Sequence, residues 1–171
     1  MQTIYIGIGS NLEQPLLQVK QAMNELGQLA GCQLLAVSSL YKSRPLTIED
    51  QTSRVALRQP DYTNAVVAIR TERDAVTVLD DCQMIENQHG RIRGEQRWGP
   101  RTLDLDLLLV DDKIINQPRL IIPHPGLHQR SFVLYPLQEI APDDLIIPGH
   151  GRLQDLVAQC DDEGLERLSN P

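Results

Sequence analysis

Aromatic residues, basic residues and long apolar runs are all scarce in this chain of 171 residues. It contains one tryptophan, four tyrosines and one phenylalanine, and its net charge is −7. RNA recognition needs stacked aromatic side chains on a basic surface, so we expect no nucleic-acid partner. No apolar run approaches the roughly 20 residues that span a bilayer, and the first residues lack the basic start of a signal peptide. We therefore expect no membrane partner and a cytoplasmic location.

The cysteines and glycines of this chain do not form a disulfide framework or a glycine-rich nucleotide-binding loop. Cys32, Cys82 and Cys160 are odd in number and widely spaced, which predicts free thiols in a reducing compartment. Gly7 and Gly9 follow an apolar alternation, but the third glycine of a dinucleotide loop and any phosphate-binding P-loop motif are missing. Gly7 belongs to the alternation of a first strand, and we expect Gly9-Ser10-Asn11 to give a tight exit from that strand, with Asn11 available for local hydrogen bonds.

Hydrophobic periodicity predicts an α+β fold with a ferredoxin-like βαββαβ core and a C-terminal extension. We expect a single domain over residues 1–171, with a core at about 3–160 and a loosely held polar tail at 161–171. The helices should cover one face of the sheet and leave the other for a site. The polar stretch 47–58 has no regular period and predicts a long loop. The predicted strands lie at about 4–8, 34–41, 65–69 and 103–110, and the predicted helices begin near Pro15, Asp74, Val133 and Leu153.

The stretch from 91 to 107 is the most informative part of the sequence. Four arginines surround the only tryptophan, and leucine and aspartate then alternate. Because residues i and i+2 share one face of a strand, Asp104 and Asp106 should project together while Leu103, Leu105 and Leu107 fill the core behind them. An arginine-rich loop alone is usually a solvated surface, and an Asp-Leu-Asp strand is often a half-exposed edge. Their adjacency favours a site for a polyphosphate and hard cations such as Mg²⁺.

The ten residues Arg97-Trp98-Gly99-Pro100-Arg101-Thr102-Leu103-Asp104-Leu105-Asp106 resemble, without a gap, the signature of the 6-hydroxymethyl-7,8-dihydropterin pyrophosphokinase family. The resemblance extends over roughly residues 3–160. It implies a ferredoxin-like fold and transfer of pyrophosphate from MgATP to the pterin hydroxymethyl group, with release of AMP, in folate biosynthesis. Further matches are Gly9-Ser10-Asn11, Pro45-Leu46, Asp61-Tyr62-x-Asn64, Gly90-Arg91-x-Arg93, Pro123-His124 and Arg130-x-Phe132.

The resemblance also implies roles for individual residues. Asp104 and Asp106 would hold two Mg²⁺ ions, ATP would be the co-substrate, and Arg91 and Arg101 would lie closest to the chemistry. The implied ATP contacts are Gln83, Glu86, Arg93, Arg97, Trp98, Arg119, His124 and Arg130. The implied pterin contacts are Ser43, Pro45, Leu46, Tyr62, Asn64 and Phe132. A flat polar heterocycle needs aromatic faces and an amide that reads its edge, which suits Tyr62, Phe132 and Asn64.

Other interpretations stay open at this point. Without the resemblance, Tyr62 and Phe132 could be core residues, Asn64 a turn residue and His124 a structural hydrogen-bonding group. A metal-dependent phosphohydrolase could use the same carboxylates, and a non-catalytic ferredoxin-like ligand-binding module is a third class. The partners are expected to be small molecules and the protein a monomer.

Three features of the sequence depart from the family pattern. Ser43-Arg44 stands where a Thr-Pro pair is common, the loop 47–58 is longer than usual, and Pro125 replaces an expected aromatic residue. Pro125 and Gly126 also make it implausible that His124 and His128 form a helical metal-binding pair, because proline and glycine disfavour a helix there.

Overall fold

The structure, a computed structural model, describes residues 1–45, 59–91 and 100–168. It mixes helices with antiparallel strands. The strands are β1 Gln2–Ser10, β2 Cys32–Val37, β3 Tyr41–Ser43, β4 Tyr62–Thr71, β5 Asp104–Val110, β6 Ile115–Gln117, β7 Leu120–Ile122, β8 Ile146–Ile147, β9 Gly151–Arg152 and β10 Glu166–Arg167. The α-helices are α1 Pro15–Gly27, α2 Ala75–Gln88, α3 Ser131–Ile140 and α4 Leu153–Gln159.

Within the described ranges, the main sheet has the strand order β10-β3-β4-β1-β5, and β2 pairs with the other end of β4. Every pair in this sheet is antiparallel. The long strand β4 therefore joins β1 on one side to both β2 and β3 on the other. Strands β6 and β7 form one small hairpin, and β8 and β9 form another.

One sheet face packs against α1 and α2, as the periodicity predicts. Ile4, Ile6 and Ile8 of β1 alternate toward this core and are at most 3% exposed. Pro15 begins α1, where its missing N–H costs no helix hydrogen bond. Leu16 in the first turn of α1 is 40% exposed, because the helix buries the face that carries Val19, Ala22 and Leu26.

We expected the opposite sheet face to be left free for a site. It is instead divided between a second core and a cavity. Tyr5, Val66 and Ala68 pack beneath α3 and α4 in a second apolar cluster. Residue 108 has no partner opposite it in β1, where the register shifts between Tyr5 and Ile6. This irregularity turns two successive residues of β5, Leu108 and Leu109, toward the second cluster.

Two further boundaries differ from the sequence-based expectations. The predicted strand 34–41 is divided into β2 and β3, because Ser38 forms two hydrogen bonds of 2.9 Å with the backbone of Val66, one through its own N–H and one through Oγ. The prediction of a loosely held C-terminal tail is wrong for residues 166–167. They form β10, which pairs with β3, and Arg167 contacts Glu139 and Ser39.

A partly buried hydrogen bond connects this C-terminal region to the sheet. The Tyr41 hydroxyl donates to Glu139 Oε1 at 2.7 Å, and Arg167 Nε lies 3.0 Å from the same oxygen. We expect Tyr41→Phe to lower the free energy of unfolding by about 1 kcal/mol, because Glu139 keeps Arg167 and the Ser39 N–H as partners. Urea denaturation of both proteins measures this difference. Equal midpoints with equal slopes would contradict it.

None of the helices in the described part of the chain is long and apolar enough to cross a membrane. The cysteines are present as thiols. Cys82 is buried in the core between α2 and the sheet, whereas Cys32 and Cys160 are partly exposed.

Candidate active site

A cavity of about 420 Å³ lies on the sheet face opposite α1 and α2. Its floor is formed by β4, β1 and β5, whose register places Asn64, Gly9 and Asp104 in one cross-strand row. The next row contains Gly7 and Asp106. Because adjacent strands lie about 4.8 Å apart, the backbones at Asn64 and Asp104 are separated by about 10 Å across the glycine. The register thus positions an amide and a carboxylate at two ends of one cavity.

The two glycines of β1 keep this floor open. Gly7 lies within the strand, as expected, but Gly9 also lies within it rather than at a tight exit, so the sequence-based expectation is wrong for Gly9. A Cβ atom on Gly7 would lie 3.3 Å from the Leu108 side chain, and one on Gly9 would lie 3.5 Å from Asn64 Oδ1. A larger side chain at either position would fill the space between the amide end and the acidic end.

At the acidic end, arginines on either side of segment 92–99 converge on Asp104. Arg91 Nη1 donates to Asp104 Oδ1 at 2.7 Å, and Arg101 Nη1 donates to Oδ2. Arg91 also pairs with Glu86, which is 2% exposed and accepts the Leu105 N–H at 2.8 Å. Glu86 therefore fixes Arg91 between α2 and β5. The Arg91 guanidinium is held in this way next to Asp104, on the strand that also carries Asp106.

The second acid, Asp106, projects on the same sheet face as Asp104, as the strand period predicts, and both line the cavity. Burial raises the pKa of Asp106 above its ordinary value, and the carboxylates of Asp104 and Glu86 raise it further, against an opposing effect of Arg101. Although 43% of its side chain reaches solvent, that surface lies within the concave cavity. Two neighbouring carboxylates, one of which has its ionised form disfavoured by burial and by the other, are a donor set that fits a hard divalent cation, because the cation compensates negative charge.

His124 lies beside this acid pair as a neutral imidazole. Burial, followed by the charge of Arg130, lowers the pKa of His124 to about 4. The Gly126 N–H donates to Nδ1 at 3.2 Å, so the ring proton of the neutral form belongs on Nε2. Nε2 faces Asp106 Oδ2 at 3.7 Å, which is too long for a hydrogen bond. The Nε2–H is thus a donor directed into the acidic end of the cavity.

The other end of the cavity combines an amide with aromatic rings. Asn64 is 4% exposed, and its Nδ2 donates to Ser43 Oγ at 2.9 Å. The amide oxygen is then the Asn64 atom available to a ligand above the glycine floor. Tyr62 and Phe132 line the same space, and the Arg130 guanidinium lies 5.9 Å from the centre of the Phe132 ring. This arrangement suits a flat heterocycle with polar edges.

Residues 5–142 match the model of a family described as 7,8-dihydro-6-hydroxymethylpterin-pyrophosphokinase (HPPK). The chain belongs to the HPPK family. Two relatives, both named 2-amino-4-hydroxy-6-hydroxymethyldihydropteridine pyrophosphokinase, extend this similarity over nearly the full length. The protein of Haemophilus influenzae is 45% identical over 169 residues, which are 99% of each chain. The protein of Pseudomonas aeruginosa is 43% identical over 168 residues, which are 98% of each chain.

The fold of this chain also resembles solved structures. The crystal structure of wild-type Plasmodium falciparum HPPK-DHPS with pteroate superposes with a TM-score of 0.69 over 92% of this chain. The sequence identity is 14%, so this similarity supports the fold alone. The present chain spans 42% of that longer chain.

Most residues that the sequence analysis assigned to the two substrates meet in the cavity. Those that line it are Ser43, Pro45, Tyr62, Asn64, Arg101, Asp104, Asp106, His124, Arg130 and Phe132. Glu86 and Arg91 lie directly behind Asp104. Leu46, Arg93, Arg97 and Trp98 lie outside the described residues.

Two of the predicted ATP contacts are not brought to the cavity. Arg119 is exposed and pairs with Asp80 of α2. Gln83 lies half-buried on α2 and does not line the cavity. Their roles in ATP binding stay predictions.

Sequence reasoning missed a positioning role for Asn11. We expected local hydrogen bonds from this residue, but its contacts are long-range. Its Oδ1 accepts the Arg101 N–H at 2.7 Å, its own N–H donates to the Arg101 carbonyl at 3.0 Å, and Nδ2 donates to the Pro60 carbonyl at 3.2 Å. One buried amide thus holds the backbone of Arg101 beside the start of β4. A glycine-serine-asparagine sequence gives no signal for partners so distant in the chain.

Proposed function

We propose that this protein transfers the pyrophosphoryl group of MgATP to the hydroxymethyl oxygen of 6-hydroxymethyl-7,8-dihydropterin, releases AMP and acts in folate biosynthesis. The observation that carries the proposal is the single cavity with an acid–arginine end and an amide–aromatic end. In the reaction, the hydroxymethyl oxygen forms a bond to the β-phosphorus. The bond from that phosphorus to the oxygen kept by AMP breaks, and the hydroxyl proton is lost. Such transfer depends mainly on alignment of the reacting groups and on charge neutralisation.

Asp104 and Asp106 are the residues that would hold Mg²⁺, and we assign two ions to them. Bound Mg²⁺ would supply neutralisation of the triphosphate charge. The shared face of the two carboxylates and the raised pKa of Asp106 support this assignment, because a cation removes the repulsion that raises that pKa.

The cationic and donor groups around the acids fit the phosphates. The guanidinium groups of Arg91 and Arg101 can each form paired hydrogen bonds to phosphate oxygens, and Arg130 adds a third cation on the cavity wall. His124 donates through Nε2 without adding charge. From the resemblance, Gln83, Glu86, Arg93, Arg97, Trp98 and Arg119 complete the proposed nucleotide contacts.

The acceptor substrate is assigned to the amide–aromatic end. Tyr62 and Phe132 provide faces for the pterin ring, and the Asn64 oxygen accepts from a ring-edge amino group. The proposed contacts at this end are Ser43, Pro45, Leu46, Tyr62, Asn64 and Phe132.

The topology of the core, the oligomeric state and the location of the protein are also proposed. A ferredoxin-like core is supported by the antiparallel strand order and by the two helices that follow β1 and β4. A monomer in the cytoplasm is the state in which we propose that it acts.

The proposed function is tested by incubation with MgATP, with and without the pterin. We expect AMP and a pyrophosphorylated pterin in equal amounts, formed only when both substrates are present. Phosphate released from ATP without the pterin, and no modified pterin, would instead identify a hydrolase and overturn the proposal.

Replacement of Asn64 by alanine tests the acceptor end separately. We expect the KM for the pterin to rise about tenfold or more, because a buried hydrogen-bond partner is lost, while the KM for ATP changes little. Asn116→Ala, at an exposed position of β6, is the matched control. An equal rise in both KM values would contradict the assignment of Asn64 to the pterin.

A further inference from the structure

We infer that Gly126 is a positioning residue for Arg130, because its missing side chain leaves the space in which the Arg130 guanidinium lies at the cavity wall. The inference rests on the proposed function, in which Arg130 binds the phosphates of ATP. It adds a residue to which the resemblance assigns no role. Gly126 acts on the nucleotide through Arg130.

The Arg130 guanidinium occupies the position that a side chain at residue 126 would take. A Cβ atom on Gly126 would lie 2.5 Å from Arg130 Nε and 2.7 Å from Nη2. Non-bonded heavy atoms pack at about 3.5 Å or more, so this Cβ atom and the guanidinium exclude each other. Both residues line the cavity, as does Phe132, whose ring centre lies 5.9 Å from the guanidinium carbon. The guanidinium is therefore located at the cavity wall by two independent contacts.

The backbone conformation does not explain a glycine at this position. Gly126 has φ −96° and ψ 0°, which is a turn conformation that other residues also adopt. Its N–H donates to His124 Nδ1 at 3.2 Å, and alanine would keep this donor. What glycine provides here is therefore space for Arg130.

The backbone is fixed on both sides of this contact. The Leu127 N–H donates to the His124 carbonyl at 2.9 Å, and the Leu127 side chain is fully buried in the second apolar cluster. At the start of α3, the Arg130 carbonyl accepts the N–H groups of Val133 and Leu134 at 3.0 and 2.9 Å. A side chain at residue 126 would therefore displace the guanidinium rather than the backbone, because the end of a long side chain moves at lower cost.

A confined guanidinium binds phosphate at a lower entropic cost than a free one. An arginine side chain loses rotamer freedom when it binds a ligand, and confinement before binding reduces that loss. The location also suits the triphosphate. Burial and then the charge of Arg130 lower the pKa of His124, so the guanidinium lies near the imidazole that faces Asp106. Displacement of the guanidinium should therefore weaken binding of the nucleotide.

A double-mutant cycle with the full chain tests the inference. The variants are Gly126→Ala, Arg130→Ala and the double variant. The probe is the Mg²⁺ complex of an ATP analogue with a methylene group between the α- and β-phosphates, and calorimetry measures its Kd. We expect Gly126→Ala to raise this Kd about tenfold, and Arg130→Ala to raise it at least as much. In the Arg130→Ala background, Gly126→Ala should change the Kd by less than about twofold, because no guanidinium is left to displace.

Gly27→Ala is the matched control. Gly27 ends α1 on the other face of the sheet, and its φ lies outside the left-handed region. An added Cβ atom would lie 3.2 Å from the Leu34 side chain, so this substitution also introduces a close contact. We expect Gly27→Ala to bind the analogue with wild-type affinity.

Two results would overturn the inference while the proposed function stands. One is wild-type affinity in Gly126→Ala. The other is an equal effect of Gly126→Ala with and without the Arg130 side chain, because Gly126 would then act on the turn itself. Thermal melting provides a second measure: the double variant should melt at the same temperature as Arg130→Ala, and a drop caused by the added alanine in that background would also overturn the inference.

Failure of the proposed function gives a different result. If wild type binds the analogue but forms no AMP and no modified pterin from MgATP and the pterin, the proposed transfer fails. The inference then still stands or falls with the double-mutant cycle, because the cycle measures binding and not turnover. Absence of analogue binding to wild type would overturn both.

Discussion

Asp106→Asn should reduce pyrophosphoryl transfer by about 10³-fold or more while the protein stays folded. The amide keeps the size of the carboxylate but removes the negative charge that would hold Mg²⁺ beside Asp104. In the absence of Mg²⁺ the same change should not reduce stability near neutral pH. The Asp106 carboxylate is disfavoured there by burial and by the neighbouring Asp104 and Glu86 carboxylates, and the amide removes that repulsion.

The pH dependence of stability gives this prediction a defined sign. The pKa of Asp106 is raised in the folded protein, so its contribution to stability is fully present below the ordinary aspartate pKa of about 4. That contribution is lost as the pH rises through the raised pKa. Without Mg²⁺, wild type should therefore lose stability relative to Asp106→Asn over this pH range. Saturating Mg²⁺ should reduce the difference, because a ligand that binds the folded carboxylates stabilises them.

The measurements are steady-state AMP formation and thermal melting with and without Mg²⁺. Asp112→Asn, in the exposed turn after β5, is the matched control and should behave as wild type in both. An Asp106→Asn variant that retains wild-type turnover would remove the metal-binding role proposed for this residue. A large drop in melting temperature without Mg²⁺ would contradict the claim that its charge is repelled in the free protein.

The sequence predicted those structural features that depend only on residues close together in the chain. A period of two placed Asp104 and Asp106 on one face, with Leu105 buried on the other, because strand geometry alone determines this alternation. Pro15 and Asp74 marked the starts of α1 and α2 for equally local reasons. Of these elements, β5 and α2 carry the acidic end of the site, through Asp104, Asp106 and Glu86.

Features that depend on distant pairing were not predicted. Gly9 appeared to mark the exit from the first strand, but the strand register makes Gly7 and Gly9 the floor of the cavity between β4 and β5. Strand β10 has no apolar alternation, so only its pairing with β3 reveals it. Asn11 has its partners in segments that the sequence does not connect to it. Arg119 was assigned by family pattern, whereas the structure pairs it with Asp80.

Arg101→Met should lower kcat by about 10²- to 10³-fold, with a smaller effect on the KM for the pterin. Arg101 lines the cavity and pairs with Asp104, and its charge opposes the rise in the pKa of Asp106. Loss of the guanidinium removes a donor for the transferred phosphates and leaves Asp104 less neutralised. Methionine preserves much of the side-chain volume, so the change mainly tests charge and hydrogen bonding.

Arg101→Lys separates the two contributions of this residue. Lysine keeps the positive charge that neutralises Asp104 but lacks the planar fork that pairs with phosphate oxygens, so it should recover only part of the activity. Arg152→Met, at an exposed position before α4, is the matched control and should retain wild-type kinetics. Full activity in Arg101→Lys would show that charge alone suffices at this position. Full activity in Arg101→Met would exclude Arg101 from the chemistry. The guanidinium that neutralises the transferred group would then have to come from another of the proposed arginines, such as Arg91, which Glu86 holds on the other side of Asp104.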